Sequence, residues 1–213
     1  MSKLISVDQL ILAQQKIIQA IKLEEHQLDK IKTLDEPITS RWQQLLGFLL
    51  NIQLEIIQKF GFEGNQTGLN LFNRVLMESQ SQNPALRGLN IEKWNYLLEK
   101  GFGITNVPKI TLEQARNLIN DIVSAATSEI FLCQIDVLVS KLDSNASMIE
   151  RRQKLLDILL PLQISIMEKH GFTGENGYVH AQKSIAEFYY DPIIMEKAEQ
   201  VQSVIFRRAK LLP

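Results

Sequence analysis

Between Gln44 and Gln58, Gln44, Gly47, Asn51, Glu55 and Gln58 recur along the chain at a helical interval. Steps of three and four place all five on one narrow stripe of an α-helix. Leu45, Leu46, Phe48, Leu49, Leu50, Ile52, Leu54, Ile56, Ile57 and Phe60 occupy nearly all the remaining circumference. A helix apolar on so many sides is one enclosed by neighbours, so this segment is expected to form the core of its unit. The same stripe recurs as Lys154, Asp157, Pro161, Ser165 and Glu168, which puts a mid-helix proline on the side nearest water. There the backbone carbonyl that proline leaves unpaired costs least.

The recurrence extends well beyond the stripe. Arg41-Trp42-Gln43-Gln44-Leu45-Leu46 is echoed by Arg151-Arg152-Gln153-Lys154-Leu155-Leu156, and Gly61-Phe62-x-Gly64 by Gly171-Phe172-x-Gly174, at a constant shift of 110 positions. Upstream, Ser6-x-x-Gln9 and Thr111-x-x-Gln114 both have the spacing in which a cap hydroxyl and the third residue's amide satisfy each other's free backbone N–H groups. Both predict helix starts, the first opening a long helix over Met1 to Lys32. Downstream, Asn83-Pro84 and Asp191-Pro192 hold matching places. Phe60-Gly61-Phe62 and His170-Gly171-Phe172 predict left-handed glycine caps, and Gly64 to Gly68 and Gly174 to Gly177 predict the turns that follow.

The expected fold is therefore all-α, a tandem duplication of a roughly four-helix unit, with the first unit at 1–105 and the second at 106–213. The join near Gly101 to Pro108 is short and contains Ile104 and Val107, unlike a long mobile linker. Both central helices expose more apolar surface than one small unit readily covers. The two halves are accordingly expected to pack as a pseudo-twofold dimer.

Composition narrows the function. The net charge of −1 offers no basic excess to neutralise phosphates, so nucleic acid is not expected as a partner. Arg207, Arg208 and Lys210 form the one basic cluster, and cations gathered there suit a helix C-terminus. Polar residues interrupt Met1 to Lys22, against a signal peptide, and no apolar run reaches the ~18 residues of a membrane span. A single cysteine, Cys133, excludes an internal disulfide and makes the cytoplasm the default setting.

Candidate chemistry is sparse. His26, His170 and His180 lack the spacing of a helical zinc site, so no metal is expected, and His170 reads as a helix-end residue. Cys133 lies in the apolar run Ile130-Phe131-Leu132-Cys133 and reads as a buried thiol. Glu24 with Glu25, and Asp35 with Glu36, read as solvent-facing. The glycine-bearing turns follow helices and lack the Lys-Ser/Thr pair of a phosphate loop, so no cofactor is expected and no enzyme activity. Aromatic side chains are the better lead. Trp42, Trp94, Tyr96, Tyr189 and Tyr190 are the candidate partner-binding residues, Trp42 standing where the second copy has Arg152. Trp42 is expected either to meet the N-terminal helix or to anchor a partner.

The L-L-x-x-L-L core, the K-x-G-F-x-G segment and the helix leading to N/D-P resemble the protein C-ten family, small eukaryotic proteins named after the tenth product of a gene-rich cluster. The resemblance covers Pro108 to Pro213 best, including Thr111-Leu112-Glu113-Gln114-Ala115 and Leu160-Pro161; in the first half Asn51 and Trp42 depart from it. It implies an all-helical cytoplasmic protein without established catalysis, and no active-site residues. The function expected is a protein-interaction or structural subunit of a larger cytoplasmic or cytoskeletal assembly, of which a ciliary one is an example. The alternative is a carrier holding a small apolar ligand between its helices.

Overall fold

A computed structural model describes residues 5–143, 146 and 148–211, the side chains of Gln66, Met148, Ile149, Arg152 and Gln202 excepted. Its regular structure among these residues is entirely helical. The chain divides into two compact units between Val107 and Pro108.

The first unit holds α1 (Val7–Leu23), α2 (Glu25–Thr33), α3 (Ile38–Gln58), α4 (Gln66–Gln82) and α5 (Pro84–Phe102). Helix α1 starts on a reciprocal cap, with the Ser6 hydroxyl accepting from the Gln9 amide at 3.2 Å and Gln9 Oε1 accepting from the Ser6 amide at 3.1 Å. The expected long N-terminal helix does not run through: it breaks at Glu24, whose φ of −102° and ψ of 25° separate α1 from α2. Neither proline, glycine nor a short polar cap residue marks that break, so periodicity alone read across it. Met1 to Leu4 lie outside the described residues.

Leu45, Leu49, Ile52, Ile56 and Ile57 of α3 are buried against α1, α2 and α4. The stripe residues Gln44, Asn51, Glu55 and Gln58 are exposed. Enclosure is less complete than expected, because Leu46 is 39% exposed and Phe48, Leu50 and Leu54 are half-buried. Helix α3 ends at a left-handed Gly61 with φ of 88°, where Phe62 N–H donates to the Ile57 carbonyl at 3.2 Å and Gly61 N–H to that of Gln58 at 3.1 Å. Such a 6→1 and 5→2 pair satisfies carbonyls the helix end would otherwise orphan.

The second unit holds α6 (Leu112–Ala126), α7 (Glu129–Lys141), α8 (Met148–Lys169), α9 (Gly177–Ala186) and α10 (Pro192–Arg208). Among the described residues each unit thus has five helices rather than about four, because the first segment of each is two helices. Thr111 and Gln114 form the reciprocal cap of α6. A bend of 53° at Thr127–Ser128 leads into α7, whose N-terminus Ser128 caps by accepting from the Phe131 amide at 3.3 Å. Phe131, Ile135, Leu155, Leu159, Ile205 and Ala209 form a core joining α7, α8 and α10. Pro161 lies inside α8 on its exposed side, and Gly171 caps the far end with φ of 88°. Asp191 caps α10 by accepting from the Ile193 and Ile194 amides and receives two hydrogen bonds from Arg116 of α6, the shorter at 2.7 Å. The Arg116 guanidinium is the chief reason the Asp191 carboxyl lies below the usual carboxylate range.

No single helix among the described residues is long and apolar enough to cross a membrane.

One core residue of the first unit is polar without compensation. Gln14 of α1 is wholly buried, and neither its amide nitrogen nor its oxygen meets a hydrogen-bond partner. Counting eight residues from each cap, Ser6 or Thr111, reaches Gln14 in one unit and Ile119 in the other. An unsatisfied buried amide costs on the order of 1–3 kcal/mol. Gln14→Met, which preserves volume, should therefore stabilise the chain by about that amount, read as a rise in the urea midpoint at unchanged slope.

Candidate functional site

The aromatic residues singled out by sequence gather mainly on α5 and its neighbours. Trp42 is only 6% exposed and stacks on Trp94 with ring centroids 5.7 Å apart and planes 22° from parallel. Phe102 lies 6.1 Å from the same indole, and the Arg41 guanidinium sits 5.5 Å from the centre of Phe102. Trp42 thus faces inward and stacks on α5. Its partner-anchor role gives way to packing, because a stacked indole with so little open surface has little left to offer a second protein.

Tyr96 is half-buried and fully engaged. Its hydroxyl donates to Glu25, and the ammonium groups of Lys22 and Lys100 lie 5.5 Å and 5.8 Å from its ring centre. Lys100 bonds Glu25 at 2.7 Å, and Lys22 bonds Glu92 at 3.0 Å. Burial, then Glu25, raises the Tyr96 phenol to about 12, while Lys100 and Tyr96 lower the Glu25 carboxyl. Glu25 is therefore not the solvent-facing acid expected from its sequence; the break at Glu24 turns α2 so that Glu25 meets α5. Tyr189 and Tyr190 belong to the second unit, in the turn between α9 and Asp191, both half-buried, with Tyr190 at 6.3 Å from Phe188.

The remaining candidates fall out as follows. His170 follows the last residue of α8 and bonds Asp121 at 2.8 Å. Arg207 and Arg208 occupy the last turn of α10, where Arg208 makes a two-pronged pair with Asp136 at 2.5 Å and 2.6 Å. Among the described residues no group of three or more His, Cys, Asp or Glu could hold a metal ion. Cys133 is exposed, contrary to the expected buried thiol. Helix α7 packs through the face that carries Phe131 and Ile135, with Leu132, Leu138 and Val139 against the same core.

Two features escaped sequence reasoning. The first is a groove of about 520 Å³ between α2 and α3. Ile31 and Ile52 are buried at its base, with Leu34 and Phe48 half-buried beside them. Its rim carries the amides Gln27, Gln44 and Asn51 and the charges Glu24, Lys30 and Glu55. Gln44, Asn51 and Glu55 belong to the polar stripe of α3, so half of this wall was visible as a pattern. Its partner wall depended on the unmarked break at Glu24.

The second is Lys93, only 4% exposed on α5 with its ammonium 5.6 Å from the centre of Trp94. Set between Glu92 and Trp94, it reads in sequence as an ordinary surface lysine. Burial without a carboxylate lowers its pKa to about 8.

Compared with family models, with characterised proteins and with solved structures, the chain matches none.

Lys93 generates a pH prediction with a definite sign. Its folded-state pKa lies below that of the unfolded chain, so between the two values the unfolded state binds the extra proton, and rising pH stabilises the fold. Lys93→Met should be more stable than the parent at pH 7 by roughly 3 kcal/mol. The difference should shrink as pH rises from about 8 toward ~10.5. Denaturant melts of both proteins across that range check it, and a pH-independent difference would show that the ammonium is not desolvated.

Proposed function

We propose that this chain is a non-catalytic interaction subunit that docks an extended segment of another protein in the α2–α3 groove. The groove's composition carries the reading. A peptide backbone presents a donor and an acceptor at every residue, and a primary amide side chain offers both. An amide rim over an apolar base therefore suits an extended chain that buries alternate apolar side chains. Glu24 and Glu55 beside Lys30 add mixed charge at the rim, where it sets register more than affinity. A small apolar ligand would leave those rim groups facing a molecule unable to bond them. A cytoplasmic or cytoskeletal assembly, such as a ciliary one, is the setting this reading proposes.

The proposal includes descent from tandem C-ten-like units. Support comes from paired devices at matching places: reciprocal caps at Ser6 and Thr111, glycine caps with φ of 88° at Gly61 and Gly171, and side-chain caps before proline at Asn83 and Asp191. It also includes pseudo-twofold pairing of the two halves, motivated by the incompletely covered apolar surface of α3.

Two experiments separate these parts. Peptides selected from a random library on the full chain should carry alternating apolar residues, and Phe48→Glu should weaken their binding at least ~10-fold without lowering the melting temperature of the free protein. Unchanged binding removes the groove, and a tightly held small apolar molecule seen by native mass spectrometry favours the carrier instead. For the pairing, a protease site inserted between the exposed Thr105 and Asn106 allows the folded chain to be cut. The two halves should then co-elute on gel filtration; separate elution ends the pseudo-dimer.

A further inference from the structure

The turn into α9 carries the chain's one Asn-Gly pair, Asn176–Gly177. The fold has a use for the glycine: a Cβ there would come 2.4 Å from the Phe172 carbonyl oxygen, and at Gly68 of the first unit one would come 2.0 Å from that of Glu63. It has no such use for the asparagine. Asn65 caps α4 by accepting from the Gly68 amide at 3.0 Å, whereas the Asn176 side chain makes no capping bond to α9. Asparagine before glycine is chemically labile, because a residue without a Cβ leaves its amide nitrogen open to the neighbouring carboxamide.

We infer that Asn176 is a site of spontaneous deamidation that is silent while α9 is docked and reacts when α9 opens. In the reaction the Gly177 amide nitrogen gives its proton to water and bonds to Asn176 Cγ, the bond from Cγ to the side-chain nitrogen breaks, and ammonia leaves. Water then opens the resulting succinimide at either carbonyl, giving aspartate or isoaspartate, with no change of oxidation state. Closing that ring brings Cβ and the Gly177 nitrogen nearly eclipsed about the Cα–C bond, a ψ of about −120°, which sterics leave almost unpopulated. The docked chain holds Asn176 at a ψ of −2°. It also ties the attacking nitrogen to the Gly174 carbonyl at 3.0 Å and the Asn176 carbonyl to the His180 amide at 2.9 Å. All three restraints go when α9 leaves its site. The two products then differ. Aspartate adds a negative charge at a helix N-terminus, which the backbone dipole favours. Isoaspartate adds a methylene to the main chain beside Gly177, where the contact with Phe172 leaves no room, so that Tyr178, Val179 and Ile185 cannot return to the core. The pair thus records the time that α9 has spent open.

The test incubates the full chain at neutral pH, in water and in denaturing urea, and follows the tryptic peptide His170–Lys183 by mass and by isoaspartyl methyltransferase labelling. In urea the peptide should exchange its amide for a carboxyl and take up label, and Asn176→Gln should remove both signals. In water the reaction should be at least ~10-fold slower, since only the open fraction reacts. Ser184→Ala removes the α9 bond to the Pro108 carbonyl at 2.9 Å and should speed the reaction in water while leaving the rate in urea unchanged. In chains aged in water, limited proteolysis should cut α9 where isoaspartate is present and spare it in Asn176→Asp. Equal rates in water and urea, a Ser184→Ala chain no faster than the parent in water, or isoaspartyl chains that resist cleavage would each overturn the inference.

Discussion

Each unit depends on burying one long helix along most of its length while leaving a single polar edge wet. For α3 the buried side is Leu45, Leu49, Ile52, Ile56 and Ile57, and in the second unit Leu155, Leu159, Ile166 and Met167 of α8 take that part. Burying an aliphatic side chain of this size is worth ~1.5–3 kcal/mol, so a handful of them outweighs any single cap or ion pair in the unit. The other elements can be seen as meeting the needs of that helix. α1 and α2 cover it in the first unit, and its glycine cap closes the carbonyls that would otherwise be left open at its end.

The wet edge also shapes the groove. Because the stripe of α3 cannot be covered by apolar neighbours, α2 meets α3 only below it, and the gap above becomes a groove with a greasy base and amide walls. The break at Glu24 matters in the same way. It lets Glu25 reach Lys100 and Tyr96 on α5, a polar link between α2 and α5. The polar contacts of the first unit thus act mainly as positioning devices, each modest in energy because the groups remain partly hydrated.

Much of this was legible in the chain. The helical class, the exposed stripes including Pro161, the reciprocal caps and the glycine caps all follow from local chemistry, in which one or two side chains decide a backbone conformation. Cys133 was misplaced, and the stacking partner of Trp42 was missed, for the opposite reason. An apolar run shows that a helix is apolar and not which of its faces finds a neighbour, so Cys133 came out exposed although Phe131 two residues away is buried. Trp42 was expected to meet the N-terminal helix or to anchor a partner; its stacking partner Trp94 is 52 positions away, and only the tertiary fold brings the pair together. Lys93 and Gln14 are buried by the same long-range packing, which no local pattern records.

Pro161 also has a mechanical meaning. Proline supplies no N–H, so the carbonyl four residues back, at Asp157, is left to water in the middle of α8. In α3 the matching place is held by Asn51, and the run of backbone bonds is unbroken. A pull along the axis of α8 would find that missing bond first, a discontinuity at mid-helix that α3 does not share.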